Sequence, residues 1–438
     1  MNKMLENIMK RTEWFRKDRF GMFLHWGLYS IPAKDPWVKS LEKMTDEEYQ
    51  RYFDNFNPYL YDPREWAKMA KEAGMKYAVL TTKHHDGFCL FDSQYTDYKS
   101  TNTPCGKDLI KEYTDAFRKE GIKVGLYYSL LDWHHPDYPA YGDETHPMRN
   151  DARVRNHVHN FENYLDYMHN QVRELCTNYG KIDIMWFDFS YEDMIGEVWR
   201  AEELVKMVRS YFPDIIIDNR LETSGKGMGS IVTEQPKSYS GDFVSPEMMI
   251  PPNGICNYAG EPVPWETCTT LNNNWGYCIS DKEFKSIKTI IRKLVECISK
   301  GGNMILGVGP QPKGTIDKKS SSMLQDIGEW MENNSESIYG CGISEFPKPE
   351  WGRYTQKGNI VYAHILEQPI GPIPLTGIPK ERIKSIKYLA DKTEIGRVDT
   401  WIVDSYKDIC FVTLGEVPHF TYELYDDVDT VLEIELMD

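Results

Sequence analysis

No stretch of this chain stays apolar for the roughly 18–20 residues that a membrane helix needs. No run of Lys and Arg is long enough to mark a surface for nucleic acid or anionic lipid, and the formal net charge is −16. Nucleic acid and membrane are therefore excluded as expected partners, and neutral substrates fit better. Cysteine is sparse and unpatterned: nine residues, an odd number, are scattered over 438 positions and none forms a Cys-x-x-Cys pair. That argues against a disulfide framework and against a structural zinc site. Met1 to Lys17 lacks the apolar centre of a signal peptide, so a reducing cytoplasm is the expected compartment. Also missing are a Gly-x-Gly-x-x-Gly after a first strand, a Walker spacing of Gly with Lys and Ser/Thr, and any internal repeat. Dinucleotide and P-loop chemistry drop out with them.

Aromatic side chains, by contrast, are plentiful, with 12 Trp and 28 Tyr in a 13 % aromatic chain. Their flat faces suit sugar rings and core packing alike. The length allows one large domain and a smaller one. Helix and strand signals alternate to about residue 335. Asp62-Pro63 reads as an N-cap with proline at the first helical position, and Tyr77 to Thr82 follows as a strand. Asn156 is expected to cap a helix whose buried stripe runs Val158, Phe161, Leu165, Met168, Val172 and Leu175. Further strands are expected at Lys123 to Tyr128, Ile182 to Phe187, Asp214 to Asp218, Trp265 to Leu271 and Met304 to Val308. This alternation predicts a (β/α)8-type catalytic barrel over 1–340. From 341 to 438 short β-branched runs predict a C-terminal antiparallel β-sandwich, among them Ile360 to Ile365, Trp401 to Asp404 and Thr430 to Leu436. The Pro-rich segment Gln368 to Pro379 is expected to be a loop, because proline supplies no ladder donor.

Several strands end on ionisable groups. Ile184-Met185-Trp186-Phe187 runs into Asp188, Tyr77 to Thr82 runs into Lys83-His84-His85-Asp86, and Lys123 to Tyr128 runs into Ser129, Asp132, His134 and His135. In a parallel barrel such ends meet in one cleft. Asp86, Asp132, Asp188, Asp242 and Glu247 are candidate carboxylates for cleaving a sugar, which needs one group at the anomeric carbon and another to protonate the leaving oxygen. Asp188 is the better nucleophile because a strand end holds it rigidly. Glu247, in a Gly/Pro-rich loop region, is expected to be partly desolvated and so to hold a proton near neutral pH. His25, His84 and His85 are read as partners of sugar hydroxyls; the adjacent pair would point to opposite faces of a strand and could share one metal ion only across a bulge. Arg220 offers a planar fork for a carboxylate or hydroxyl, and Trp275 a flat face for a sugar edge.

Taken together, the strings Phe20 to Ser30, Ala73 to Tyr77, Lys83-His84-His85-Asp86-Gly87-Phe88, Gly125 to Ser129, Met185 to Asp188, Asp242 to Glu247 and Gly301 through Pro310 resemble glycoside hydrolase family 29, the retaining α-L-fucosidases. The resemblance implies Asp188 as nucleophile and Glu247 as general acid/base. It places His25, His84, His85, Tyr127, Arg220 and Trp275 in a fucose pocket, with Trp37 on a loop closing over it and Tyr128 as the alternative to Tyr127. It implies no metal and no organic cofactor, and as substrate a fucosylated oligosaccharide or glycoconjugate; association into a homo-oligomer is compatible with the chain. Two departures stand out: Pro36 precedes Trp37 where many members have Glu, and Gly307 replaces a usual Asn. Alternatives of other kinds are an α-L-galactosidase on the same scaffold and a carbohydrate-binding protein without catalysis.

Overall fold

Short apolar runs bounded by Gly, Pro or acidic residues pair into one curled, all-parallel sheet in the computed structural model, which describes residues 3–399, 401–415 and 423–437. Its strands are β1 (Phe20–Leu24), β2 (Tyr77–Lys83), β3 (Lys123–Ser129), β4 (Ile184–Asp188), β5 (Ile216–Ile217), β6 (Glu266–Thr270) and β7 (Asn303–Val308). Their order in space is β5-β4-β3-β2-β1-β7-β6. Helices lie before, between and after them: α1 (Lys3–Arg11), α2 (Glu13–Asp18), α3 (Val38–Leu41), α4 (Asp46–Asp54), α5 (Pro63–Glu72), α6 (Leu109–Lys119), α7 (Phe161–Asn178), α8 (Ala201–Tyr211), α9 (Ile287–Ser299) and α10 (Lys318–Asn334).

Strands β1, β2, β4 and β7 are buried along their whole length, as a parallel sheet covered on both faces requires. One apolar set fills the concave interior: Phe23, Tyr77, Val79, Tyr127, Trp186, Cys268 and Ile305, joined by Phe15 from α2. The helices cover the other face. In α5, for example, Asp62 accepts the N–H of Arg64, Pro63 takes the first helical position, and Trp66, Ala67 and Ala70 are buried, as the spacing predicts.

The gap between β5 and β6 is spanned by segment 242–247. Single parallel bridges join Asp218 to Phe243, Val244 to Trp265 and Glu247 to Cys268. Buried Asp242 anchors the segment's start, accepting from Ile217 N–H, Arg11 Nε and Arg209 Nη2, each at 2.9 Å.

The C-terminal part contains β8 (Gly342–Ile343), β9 (Gly352–Lys357), β10 (Ile360–Ile365), β11 (Ile373–Pro379), β12 (Ile383–Tyr388), β13 (Gly396–Val398), β14 (Ile409–Thr413) and β15 (Thr430–Leu436). They form two antiparallel sheets, β12-β15-β10-β9-β8 and β11-β14-β13. Val361, Ala363, Ile373, Leu375, Val412, Leu432 and Ile434 share one core.

Three local expectations are corrected. The long helix starts at Phe161 with Asn160 ahead of it, not at Asn156, and Val158 is 89 % exposed rather than part of the buried stripe. Prolines 374 and 379 lie in a strand, not a loop: β11 is an edge strand, where a missing N–H leaves no ladder partner unsatisfied, and Ile373, Leu375 and Ile378 face the core. Trp401 to Asp404 falls within the 3-10 helix Trp401–Ser405. A run of four residues cannot distinguish a strand from a single helical turn by composition alone.

Candidate active site

The functional side chains leave the sheet at the C-terminal ends of successive strands. His25 follows β1, His84 and His85 follow β2, Tyr127 lies near the end of β3, Asp188 closes β4, and Arg220 comes three residues after β5. Glu247 ends the bridging segment beside Cys268 of β6. They converge on a narrow cavity of about 50 Å³ lined by Phe23, His25, Pro36, Trp37, His84, His85, Tyr127, Trp186, Asp188, Phe189, Glu247, Cys268 and Trp275. A larger surface groove of about 710 Å³ between α5 and α10 has no comparable convergence of catalytic groups.

Arg220 is the centre of the polar network. Its Nη1 donates to Asp188 Oδ1 at 3.0 Å and its Nη2 to Glu247 Oε2 at 3.0 Å, so one guanidinium ties both carboxylates. Nε donates to Ser245 Oγ at 2.9 Å, Nη2 also donates to Ser245 O at 3.1 Å, and the guanidinium carbon stands 4.8 Å from the centre of the Trp186 ring. This uses the planar fork in the way a lysine could not. Burial alone would lower the pKa of Arg220, but the facing carboxylate of Asp188 leads the groups that raise it.

Asp188 is buried, and that burial pushes its carboxyl up to about 6; Arg220 opposes the rise, neighbouring Glu247 adds to it, and Tyr127 opposes it. Tyr127 Oη donates to Asp188 Oδ2 at 2.7 Å, whereas Tyr128 Oη donates to Gln171 Oε1 at 2.7 Å, outside the cavity. Tyr127 is therefore the tyrosine of the site. Glu247 is only partly desolvated, its side chain 38 % exposed, whereas Asp188 is buried.

The adjacent histidines both line the cavity. The register between β2 and β3 shifts between Thr81 and Lys83, and β2 ends at Lys83, so His84 and His85 escape the strict alternation of a regular strand. His85 Nδ1 and Ser129 Oγ share a hydrogen bond of 2.6 Å, and Ser129 Oγ also accepts the N–H of Leu131 at 3.1 Å. His85 Nε2 stands 3.9 Å from Asp188 Oδ2. Burial, followed by the neighbouring imidazoles and Lys83, pushes the pKa of both His84 and His85 well below the ordinary imidazole range, and burial takes His25 to about 3. All three are neutral at pH 7. Nδ1 of His25 and Nδ1 of His84 find no hydrogen-bond partner among the described residues, which leaves them able to meet hydroxyl groups.

Trp37 packs edge-on against His85 and Trp133 and tilted against Phe189, at centroid distances of 4.9, 5.1 and 5.2 Å, and Trp275 lies 5.2 Å from His25. The other candidate acids lie elsewhere. Asp86 accepts from Tyr49 Oη, Asp132 pairs with Lys83 Nζ at 3.0 Å, and Asp242 is the anchor already described. His134 stacks on Tyr98 and His135 packs against Tyr167, both outside this cavity.

Sequence reading did not single out Phe23, Trp186, Phe189, Cys268 or Ser245 as site residues. Phe23 and Trp186 were accessible to it, since each sits two positions before a named residue and so shares its strand face. Nothing local marks Ser245 or Cys268. Phe189 and Met248, the residues immediately after the two carboxylates, have φ of +85° and +53°. That left-handed backbone is uncommon for such side chains, and strained backbone of this kind clusters at functional sites.

A family model described as α-L-fucosidase matches residues 2–336. The chain is 29 % identical over 385 residues to the tissue α-L-fucosidase of Bos taurus, covering 81 % of this chain and 75 % of that one. Among solved structures it is similar to α-L-fucosidase isoenzyme 1 of Paenibacillus thiaminolyticus, with 56 % identity, a TM-score of 0.94, and coverage of 99 % of this chain and 100 % of that one. It is also similar to a glycoside hydrolase family 29 α-L-fucosidase of Bacteroides thetaiotaomicron, whose structure traps a covalent intermediate with 2-fluoro-fucosyl fluoride. That match has 29 % identity, a TM-score of 0.80, and coverage of 98 % of this chain and 96 % of that one.

Proposed function

The chain belongs to the α-L-fucosidase family, and from that membership we propose that Asp188 and Glu247 are the two carboxylates of a retaining hydrolysis. The protein is a glycoside hydrolase that releases L-fucose from α-L-fucosides by double displacement. Asp188 Oδ attacks the anomeric carbon while Glu247 gives its proton to the departing glycosidic oxygen, forming a covalent fucosyl ester. Water then attacks that carbon, Glu247 takes its proton, and the Asp188 carboxylate leaves, giving net retention. The observation that carries this reading is the single Arg220 guanidinium bridging both carboxylates at a cavity. Such a bridge is compatible with the roughly 5–5.5 Å separation a retaining pair requires.

Around the reacting carbon, His25, His84 and His85 are neutral hydrogen-bond partners for ring hydroxyls, and Trp37 with Trp275 bounds the sugar. Phe23, Trp186 and Trp275 suit the methyl of fucose better than a hydroxymethyl, although an apolar wall rejects an added hydroxyl only about a hundredfold. Pro36 lines the cavity beside Trp37, so this chain contacts that edge of the sugar without charge.

The wider reading is a (β/α)8-type barrel over 1–340, with segment 242–247 as its irregular eighth stave, and a β-sandwich over 341–438. The three bridges of that segment and the shared core of the two antiparallel sheets support it. The nine unpaired cysteines support a cytoplasmic enzyme of fucose metabolism acting on fucosylated oligosaccharides or glycoconjugates. The test is hydrolysis of 4-nitrophenyl α-L-fucoside beside the α-L-galactoside, with Asp188→Ala as control. Preferred turnover of the fucoside, reduced to background in the variant, is expected. A preference for the galactoside, or turnover that survives in Asp188→Ala, contradicts the substrate or the nucleophile respectively.

A further inference from the structure

Gly225 lies in the loop between β5 and segment 242–247, and it touches both groups that the acid/base step depends on. Its carbonyl accepts the backbone N–H of Glu247 at 3.2 Å. A Cβ at this position would stand 2.5 Å from Arg220 Nη2, 2.8 Å from Arg220 Cζ and 2.8 Å from Glu247 Cβ. Those separations are well inside the roughly 3.5–4.0 Å optimum for non-bonded contact, so a neighbour would have to move.

Neither neighbour is free to do so. Arg220 is 2 % exposed and held by Asp188 and by both oxygens of Ser245 as well as by Glu247. The Glu247 backbone is bridged to Cys268. Asn219 clamps the two loops together: its Oδ1 accepts from Ser245 N–H and Oγ–H, each at 3.0 Å, and its Nδ2 donates to Gly227 O at 3.2 Å. The φ of Gly225 lies outside the left-handed region, so an alanine there introduces steric contact without backbone strain.

We propose that Gly225 is a positioning residue: the bare backbone of this loop, pressed against Arg220 and Glu247, sets where the Glu247 carboxylate meets the departing oxygen. The proposal rests on Glu247 being the acid/base. A displaced acid matters most when the leaving group needs a proton and little when it leaves readily as a phenolate. Gly225→Ala is therefore expected to lower kcat/KM on a fucosyl-α-linked disaccharide by about a hundredfold, and on 4-nitrophenyl α-L-fucoside by less than about tenfold. Lys226→Ala, an exposed neighbour, should keep the wild-type ratio of the two rates.

Circular dichroism and thermal melting establish that the alanine variant is folded. Should it not fold, Asn219→Ser, which loosens the same loop, carries the same expected selectivity. Equal losses on both substrates, or no loss on either, overturn the role of Gly225. A wild-type protein inactive on both fucosides overturns the fucosidase reading itself, and an active wild type keeps the two failures distinct.

Discussion

Asp188 must be ionised to attack, and its burial holds its carboxyl at about 6. The kcat/KM of the wild type is accordingly expected to rise with pH through about 6 on its acid limb, as the free enzyme loses that proton. Tyr127→Phe removes a donor to the charged form, so the limb should move to higher pH, with a loss of about tenfold or more at pH 6 from a charge-assisted bond of about 1.5–3 kcal/mol. A pH–rate profile of both proteins checks this; a limb that stays in place would mean that the Tyr127 hydroxyl does not support the carboxylate. At this scale the sequence named two acids, three histidines and Arg220 from separate segments, and the fold brings them together at one cavity. That Asp188 is the more deeply buried of the two acids was not legible, because burial depends on which loops cover a group and no local pattern records that.

Among the elements, segment 242–247 carries Glu247, the proposed acid/base, while making only single bridges to its neighbours, so its position depends on side-chain anchors. Asp242 supplies the strongest, with ion pairs to Arg11 and Arg209 that are 2.5 and 2.9 Å long. Asp242→Asn leaves two arginines without their common carboxylate and is expected to destabilise the protein by about 3 kcal/mol. Denaturant unfolding measures this, and an unchanged midpoint would show that the anchor is dispensable. The sequence marked most of the regular strands because β-branched runs between Gly and Pro are a local signal. Segment 242–247 escaped, since a stave held by isolated bridges has no periodicity of its own. The edge strand β11 escaped for a related reason: proline is disfavoured in a strand only where its N–H would face a partner, and which strand is an edge is settled by sheet order.

For the whole molecule, buried acids set a pH window of stability. Burial pushes Glu266 up to about 8 in the interior of the curled sheet, where Tyr77 Oη donates to it. A carboxyl raised in the folded state contributes its stability fully below its unfolded value of 4.5 and loses it as pH rises through about 8. Glu266→Gln is thus expected to gain a few kcal/mol on the wild type between pH 5 and 8, read as diverging melting temperatures. Parallel melting curves across that range would show that Glu266 is not held protonated. Glu296 works in the opposite direction. It is half-buried, and although burial raises it, Lys293, Lys300 and Arg353 of β9 hold it at about 2, so its pairing with the C-terminal sheets is present above 4.5 and weakens as pH falls towards 2.

Read alone, the chain was enough to establish alternating helices and strands, a change to short β-branched runs near residue 340, the family it resembles and its candidate acids. Each of these is written in residue types a few positions apart, where periodicity and short motifs operate. Only folding decided that Tyr127 rather than Tyr128 faces Asp188, that adjacent histidines share one cavity, that one guanidinium joins carboxylates 59 residues apart, and that Gly225 presses against both Arg220 and Glu247. Those facts depend on strand register, burial and close approach between distant segments, and such contacts exist only once the strands have paired and packed.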